Sequence, residues 1–183
     1  NQNKSIRTFS EHTSCIYNTI WQPNENDIFA SVAGDNLLKI WDINTPQSIQ
    51  TITVSDNEVL CCDWNKYNKN LIYTAGVDKI IREWDLRMPD KPLIQLHGHD
   101  FAIRKLKTSP HNKDIIATCS YDMSLCIWNL QSSKSSVKSN DNLRGQLLKR
   151  YEHHTEFVLG CDFNLYNENQ IASVSWDETL AVW

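Results

Sequence analysis

The chain has 183 residues, a net charge of −4, 40% hydrophobic residues and seven Trp. That length and composition suit one globular domain, and the mild acidity excludes the basic footprint of a nucleic-acid binder. No apolar run approaches the roughly 18 residues of a membrane-spanning helix, and residues 1–10 lack the apolar core of a signal peptide.

The chain does not begin with Met and is expected to be a segment of a longer one. Residues 5–9 (SIRTF) are expected as a short strand of a preceding unit. Three strands follow at 15–21, 28–33 and 37–41. The first is ended by Gln22-Pro23-Asn24, and the other two flank a turn at Gly34-Asp35-Asn36. A fourth is expected at 48–53. Short strands at this spacing, with polar turns between them, argue an all-β fold.

The same order recurs. The second unit has strands expected at 58–64, 71–76, 80–84 and 93–96. The third has them at 102–108, 115–120, 124–128 and 147–151. A polar stretch at 131–146, rich in Ser, Lys and Asn, is expected as a mobile loop. The last unit has strands at 157–163, 170–175 and 179–183. The marks between them keep a fixed ruler. His12, His99 and His154 each lie 29 residues before Trp41, Trp128 and Trp183, and Asp35, Asp122 and Asp177 each lie 6 before those Trp. Asp78 holds the same place before Trp84, but the His position there is Ser55. Four copies of one unit are therefore read, at about 10–54, 55–97, 98–151 and 152–183.

This pattern resembles the WD-repeat β-propellers, with Gly98-His99 as the one intact GH pair and WD at Trp41-Asp42 and Trp84-Asp85. The resemblance implies one four-stranded blade per unit around a channel. The expectation is the C-terminal part of a seven-bladed ring, with a small closed four-bladed ring as the alternative. It also implies a structural tetrad in each blade. By position these are His12, Ser31, Asp35 and Trp41; His99, Thr118, Asp122 and Trp128; and His154, Ser173, Asp177 and Trp183. The second unit keeps Thr74, Asp78 and Trp84. A Ser–His–Asp set invites a hydrolase reading. The set recurs three times without a nucleophile elbow, which marks a structural pin and not an enzyme.

No metal or cofactor is expected. His153 and His154 are sequence neighbours, which on a strand point to opposite faces, and neither that pair nor His97/His99 has a Cys at zinc spacing. The six Cys, none in a CxxC pair, are expected as reduced, buried thiols, with a disulfide framework as the alternative.

Longer tracts go beyond the generic repeat: CDWNKYNKNLIYTAGVD, REWDLR, GHDFAIRKLKTSPH, CSYDMS, EHHTEF and SWDET. Together they resemble the receptors for the type-2 peroxisomal targeting signal. That resemblance implies a cytoplasmic receptor that shuttles to the peroxisome. It would bind the N-terminal targeting peptide of matrix proteins, an amphipathic helix with a basic residue near its start, and would act with an import co-receptor. No nucleic acid and no membrane span of its own are implied.

In such propellers three positions per blade face the top of the ring. Here they are Cys15, Tyr17 and Gly34; Glu58, Leu60 and Val77; Ala102, Arg104 and Tyr121; Phe157, Leu159 and Trp176. This set is mostly apolar and aromatic, which suits a helix laid in a groove, with Glu58 to meet the basic residue. Two alternatives stand beside it: aromatics that plug the channel, and an internal Glu58–Arg104 pair. A different function is also open. Trp84-Asp85-Leu86-Arg87 fits the WDxR motif of substrate receptors for cullin ubiquitin ligases, and a generic scaffold is the third possibility.

Overall fold

The computed structural model describes residues 5–131 and 145–183. Among these the regular elements are all strands. β1 (Ile16–Trp21), β2 (Ile28–Ala33), β3 (Leu37–Asp42) and β4 (Gln50–Thr53) make one antiparallel sheet in chain order. β5 (Val59–Trp64), β6 (Leu71–Gly76), β7 (Ile81–Asp85) and β8 (Ile94–Leu96) make the second. β9 (Ile103–Thr108), β10 (Ile115–Ser120), β11 (Leu125–Asn129) and β12 (Gln146–Tyr151) make the third, and β13 (Val158–Phe163), β14 (Ile171–Ser175) and β15 (Leu180–Val182) the fourth. The strands β1, β5, β9 and β13 pack on one another in that order, and no comparable packing joins β13 back to β1. The molecule is an open arc of four blades, a partial β-propeller. Among the described residues the blades do not close into a four-bladed ring.

The apolar periodicity of each strand feeds cores that lie between blades. Val32, Leu38 and Ile40 of the first blade pack with Val59, Trp64 and Ile72 of the second. Tyr73 and Ile81 pack with Ile103, Leu106 and Trp128 of the third. Ala117, Cys119 and Leu125 pack with Val158, Cys161 and Ile171 of the fourth. Burial of such side chains supplies about 1.5–3 kcal/mol each. The two ends of the arc lack that cover. Trp21 is 56% exposed on β1, and Leu180 and Val182 are 66% and 63% exposed on β15.

Each hairpin between the second and third strands turns through a residue with positive φ. These are Asn36, Lys79, Met123 and Glu178, at 66–70°, each directly after the turn Asp. The Asp Oδ1 accepts the amide two residues on, from Leu37, Ile80, Ser124 and Thr179. The carboxylate thereby steadies a left-handed residue that would otherwise be unfavourable.

Two expectations differ. Residues 5–9 form no strand and pair with none. Phe9 carries the segment instead, its ring 5.4 Å from Phe29 and 5.0 Å from Trp41. The expected loop at 131–146 falls mostly outside the described residues, and its last member, Gln146, is already in β12. The six Cys are free thiols, five of them buried and Cys15 exposed.

Candidate functional site

The tetrad positions converge as hydrogen-bonded chains. In the first blade His12 Nδ1 lies 2.8 Å from Asp35 Oδ2 and His12 Nε2 lies 2.7 Å from Ser31 Oγ, which accepts Trp41 Nε1–H at 2.8 Å. In the third, His99 joins Asp122 at 2.7 Å and Thr118 at 2.7 Å, and Trp128 donates to Thr118 at 2.7 Å. In the fourth, His154 joins Asp177 and Ser173 at 2.9 Å each, and Trp183 donates to Ser173 at 3.0 Å. The indole N–H can only donate, so the hydroxyl accepts it and turns its own hydrogen to Nε2. The proton then sits on Nδ1 and is donated to the carboxylate. The hydroxyl is enclosed, with Ser31, Thr118 and Ser173 all buried, which leaves it no access to a substrate.

The carboxylates respond to this bonding. Burial alone would raise Asp122, but bonds from His99, Ser124 and the Asp100 amide hold it well below the usual range. The Thr179 hydroxyl, against a smaller opposing effect of burial, and then His154 do the same for Asp177. In the second blade, which lacks the His, Arg82 Nη1 binds Asp78 Oδ2 at 2.6 Å while Trp84 still donates to Thr74 at 2.9 Å. A cation from β7 thus takes the place of the imidazole.

These pins hold the hairpin ends that carry the rim positions. In every blade the residue before the turn Asp donates its amide to the carbonyl three residues after the His mark. The bonds are Gly34 to Cys15 at 2.9 Å, and Val77 to Glu58, Tyr121 to Ala102 and Trp176 to Phe157 at 3.1 Å. In every blade, too, the inner strand carries a β-bulge. The pairing skips Tyr17, Leu60, Arg104 and Leu159. A bulge re-aims the extra side chain, and here it does so at one equivalent point in all four blades.

The rim is uneven. Tyr121 and Phe157 ring centroids are 4.7 Å apart, and Phe157 and Trp176 are 5.3 Å apart. These three make one aromatic patch over the third and fourth blades, with Trp176 59% exposed. Ala102, Arg104 and Leu159 are half-buried, and Val77 is exposed. Leu60 is a correction: it is 7% exposed, because β5 is flanked by β1 and β9, and it offers almost no surface. Glu58 is exposed and accepts the Tyr17 hydroxyl at 2.9 Å. It makes no ion pair with Arg104. Sequence reasoning missed Phe101, 59% exposed beside the rim with Lys79 Nζ 6.0 Å from its ring centre. It also missed Arg82, whose only signal was a cation on the strand after an unpaired Asp.

Away from the rim, Arg87 turns back on Asp85 in a fork, Nε to Oδ1 at 2.9 Å and Nη2 to Oδ2 at 2.6 Å. Among the described residues no three His, Cys, Asp or Glu gather as a metal cluster.

A four-stranded blade pinned by His, Asp, Ser/Thr and Trp defines the WD-repeat class. The WD domain, G-beta repeat, matches residues 3–42, 46–85, 90–129 and 145–183, and the chain belongs to that family. Within it, the chain belongs with the peroxisomal targeting signal 2 receptors. It is 46% identical to the peroxisomal targeting signal 2 receptor of Dictyostelium discoideum, across 91% of this chain and 77% of that protein. It is 42% identical to the Mus musculus receptor of the same name, across 98% of this chain and 53% of the relative. It is 33% identical to the Saccharomyces cerevisiae one, across 98% and 55%. The chain spans about half the length of these last two relatives. Relatives of this kind are named as receptors.

Proposed function

We propose that this chain is the part of a targeting receptor that contributes to binding a type-2 peroxisomal targeting signal. The ligand is an amphipathic helix near the N-terminus of a cargo protein. Its apolar face lies on Tyr121, Phe157 and Trp176, with Val77, Ala102 and Leu159 around them. Its basic residue meets Glu58, and Arg104 and Tyr17 border the path. The receptor works in the cytoplasm, acts with a co-receptor and moves to the peroxisome with its cargo. The observation that carries this reading is the joined aromatic patch on the same rim as the exposed carboxylate of Glu58. Such a surface complements an amphipathic cation. The names of the relatives support the same role.

The ubiquitin-ligase alternative rests on the WDxR motif alone, whose Arg87 is paired with its own Asp85 while its side chain stays 66% exposed.

The test is titration of a targeting peptide into the receptor at its full natural length. Trp176→Ala and Glu58→Lys should each weaken binding by about thirtyfold or more, the scale of a buried aromatic anchor or a reversed charge contact. Unchanged affinity in both variants would overturn the proposal.

A further inference from the structure

The residue before the turn Asp grows around the arc, from Gly34 through Val77 and Tyr121 to Trp176. Gly34 is not among the residues of positive φ. Its backbone would therefore accept any L-residue, and what glycine contributes is room. A β-carbon there would lie 2.7 Å from Ser14 Oγ and 3.3 Å from Glu58 Oε1. Glu58 thus leans across the blade boundary, with one oxygen over Gly34 and the other held by Tyr17. Tyr17 is itself the bulged residue of β1. No described cation pairs with Glu58, and Ser14 Oγ has no hydrogen-bond partner among the described residues.

We propose that Gly34 opens a notch in which Ser14, Tyr17 and Glu58 receive the guanidinium or ammonium group of the bound helix. This rests on the reading of the rim as a peptide-binding face. Two oxygens, Ser14 Oγ and Glu58 Oε1, then lie over the missing β-carbon, and the neutral phenol orients the carboxylate without discharging it. Tyr17 is a positioning residue: it fixes Oε2 and leaves Oε1 for the cation. The notch also sets direction. The cation sits over the first and second blades and the aromatic patch over the third and fourth. A helix with its basic residue near its start therefore lies with its N-terminus over the first blade.

The experiment compares two peptides on the full-length receptor, one with Arg at the basic position and one with norleucine there. Gly34→Val should weaken the Arg peptide about tenfold or more and leave the norleucine peptide within about twofold, the loss expected for a charge-assisted contact. Gly34→Ala, which adds a single carbon and spares the fold, should act in the same direction. Tyr17→Phe should weaken only the Arg peptide, by about threefold or more. Equal effects of Gly34→Ala on both peptides, or none on either, would overturn the notch. Trp176→Ala separates the two ideas. If it weakens both peptides while the notch variants change neither, the binding face stands and the notch falls. If Trp176→Ala changes neither peptide, the binding face itself fails.

Discussion

A single carboxylate does two jobs in each blade: it closes a hairpin through one oxygen and anchors an imidazole or guanidinium through the other. The second blade tests how far the cation can vary. Arg82 and Asp78 side chains are each 11% exposed, so the pair is nearly buried. Arg82→Leu would strand the carboxylate, and the expected loss is about 3 kcal/mol, read as a lower urea midpoint. Acid gives a second handle. Asp35, Asp122 and Asp177 are all held below the normal carboxylate range in the fold and titrate near 4 when unfolded. Their contribution is therefore complete above about pH 4 and declines as the pH falls below it. Urea midpoints from pH 6 to 3 should fall in that window, and Asp122→Asn should flatten the slope. The His, Asp and Trp of these pins were legible because they recur at fixed spacing. Arg82 was not, since it stands in for a missing His from a different strand. The Tyr17–Glu58 bond was not legible either, because its partners sit 41 residues apart in neighbouring blades.

Between elements, the joints are polar as well as apolar. Asp63 is fully buried at the end of β5. Its Oδ2 accepts the Thr108 amide at 2.9 Å and hydroxyl at 3.0 Å from β9, while its Oδ1 accepts Lys66 Nζ at 2.9 Å and the Trp64 amide. It fastens the second blade to the third. Asp63→Ala leaves the Thr108 amide and the Lys66 ammonium without this acceptor, while the Thr108 hydroxyl keeps the Trp64 carbonyl at 2.7 Å, and the expected cost is about 3 kcal/mol of stability by chemical denaturation. The conservative Asp63→Asn should recover part of it. Most strands were legible to within two residues, because alternation and polar turns mark them. The bulges were not: one unpaired residue leaves the alternation on either side nearly intact. They decide which way Tyr17, Arg104 and Leu159 aim. Burial of Leu60 was hidden for a related reason, since two neighbouring blades cover it.

The whole arc is uneven in its cover. β5 and β7 are buried along their whole length, whereas β15 is exposed or half-buried throughout. Stability in a stacked repeat is close to a sum of neighbour contacts. Native-state hydrogen exchange on the 183-residue chain should therefore be slowest in β5 to β7 and fastest in β13 to β15. Uniform exchange across the blades would contradict this. The uncovered faces at Trp21 and at Leu180 and Val182 are also open strand surfaces, and replacing Leu180 and Val182 by Lys should reduce any association seen by sedimentation.

Because the blades pack in the order in which they are encoded, no strand must wait for a distant one. Each hairpin closes on residues just made, and each finished blade meets a neighbour already in place. A ribosome making this stretch would thus present it already stacking, one blade at a time, with each fresh edge covered by the blade that follows it.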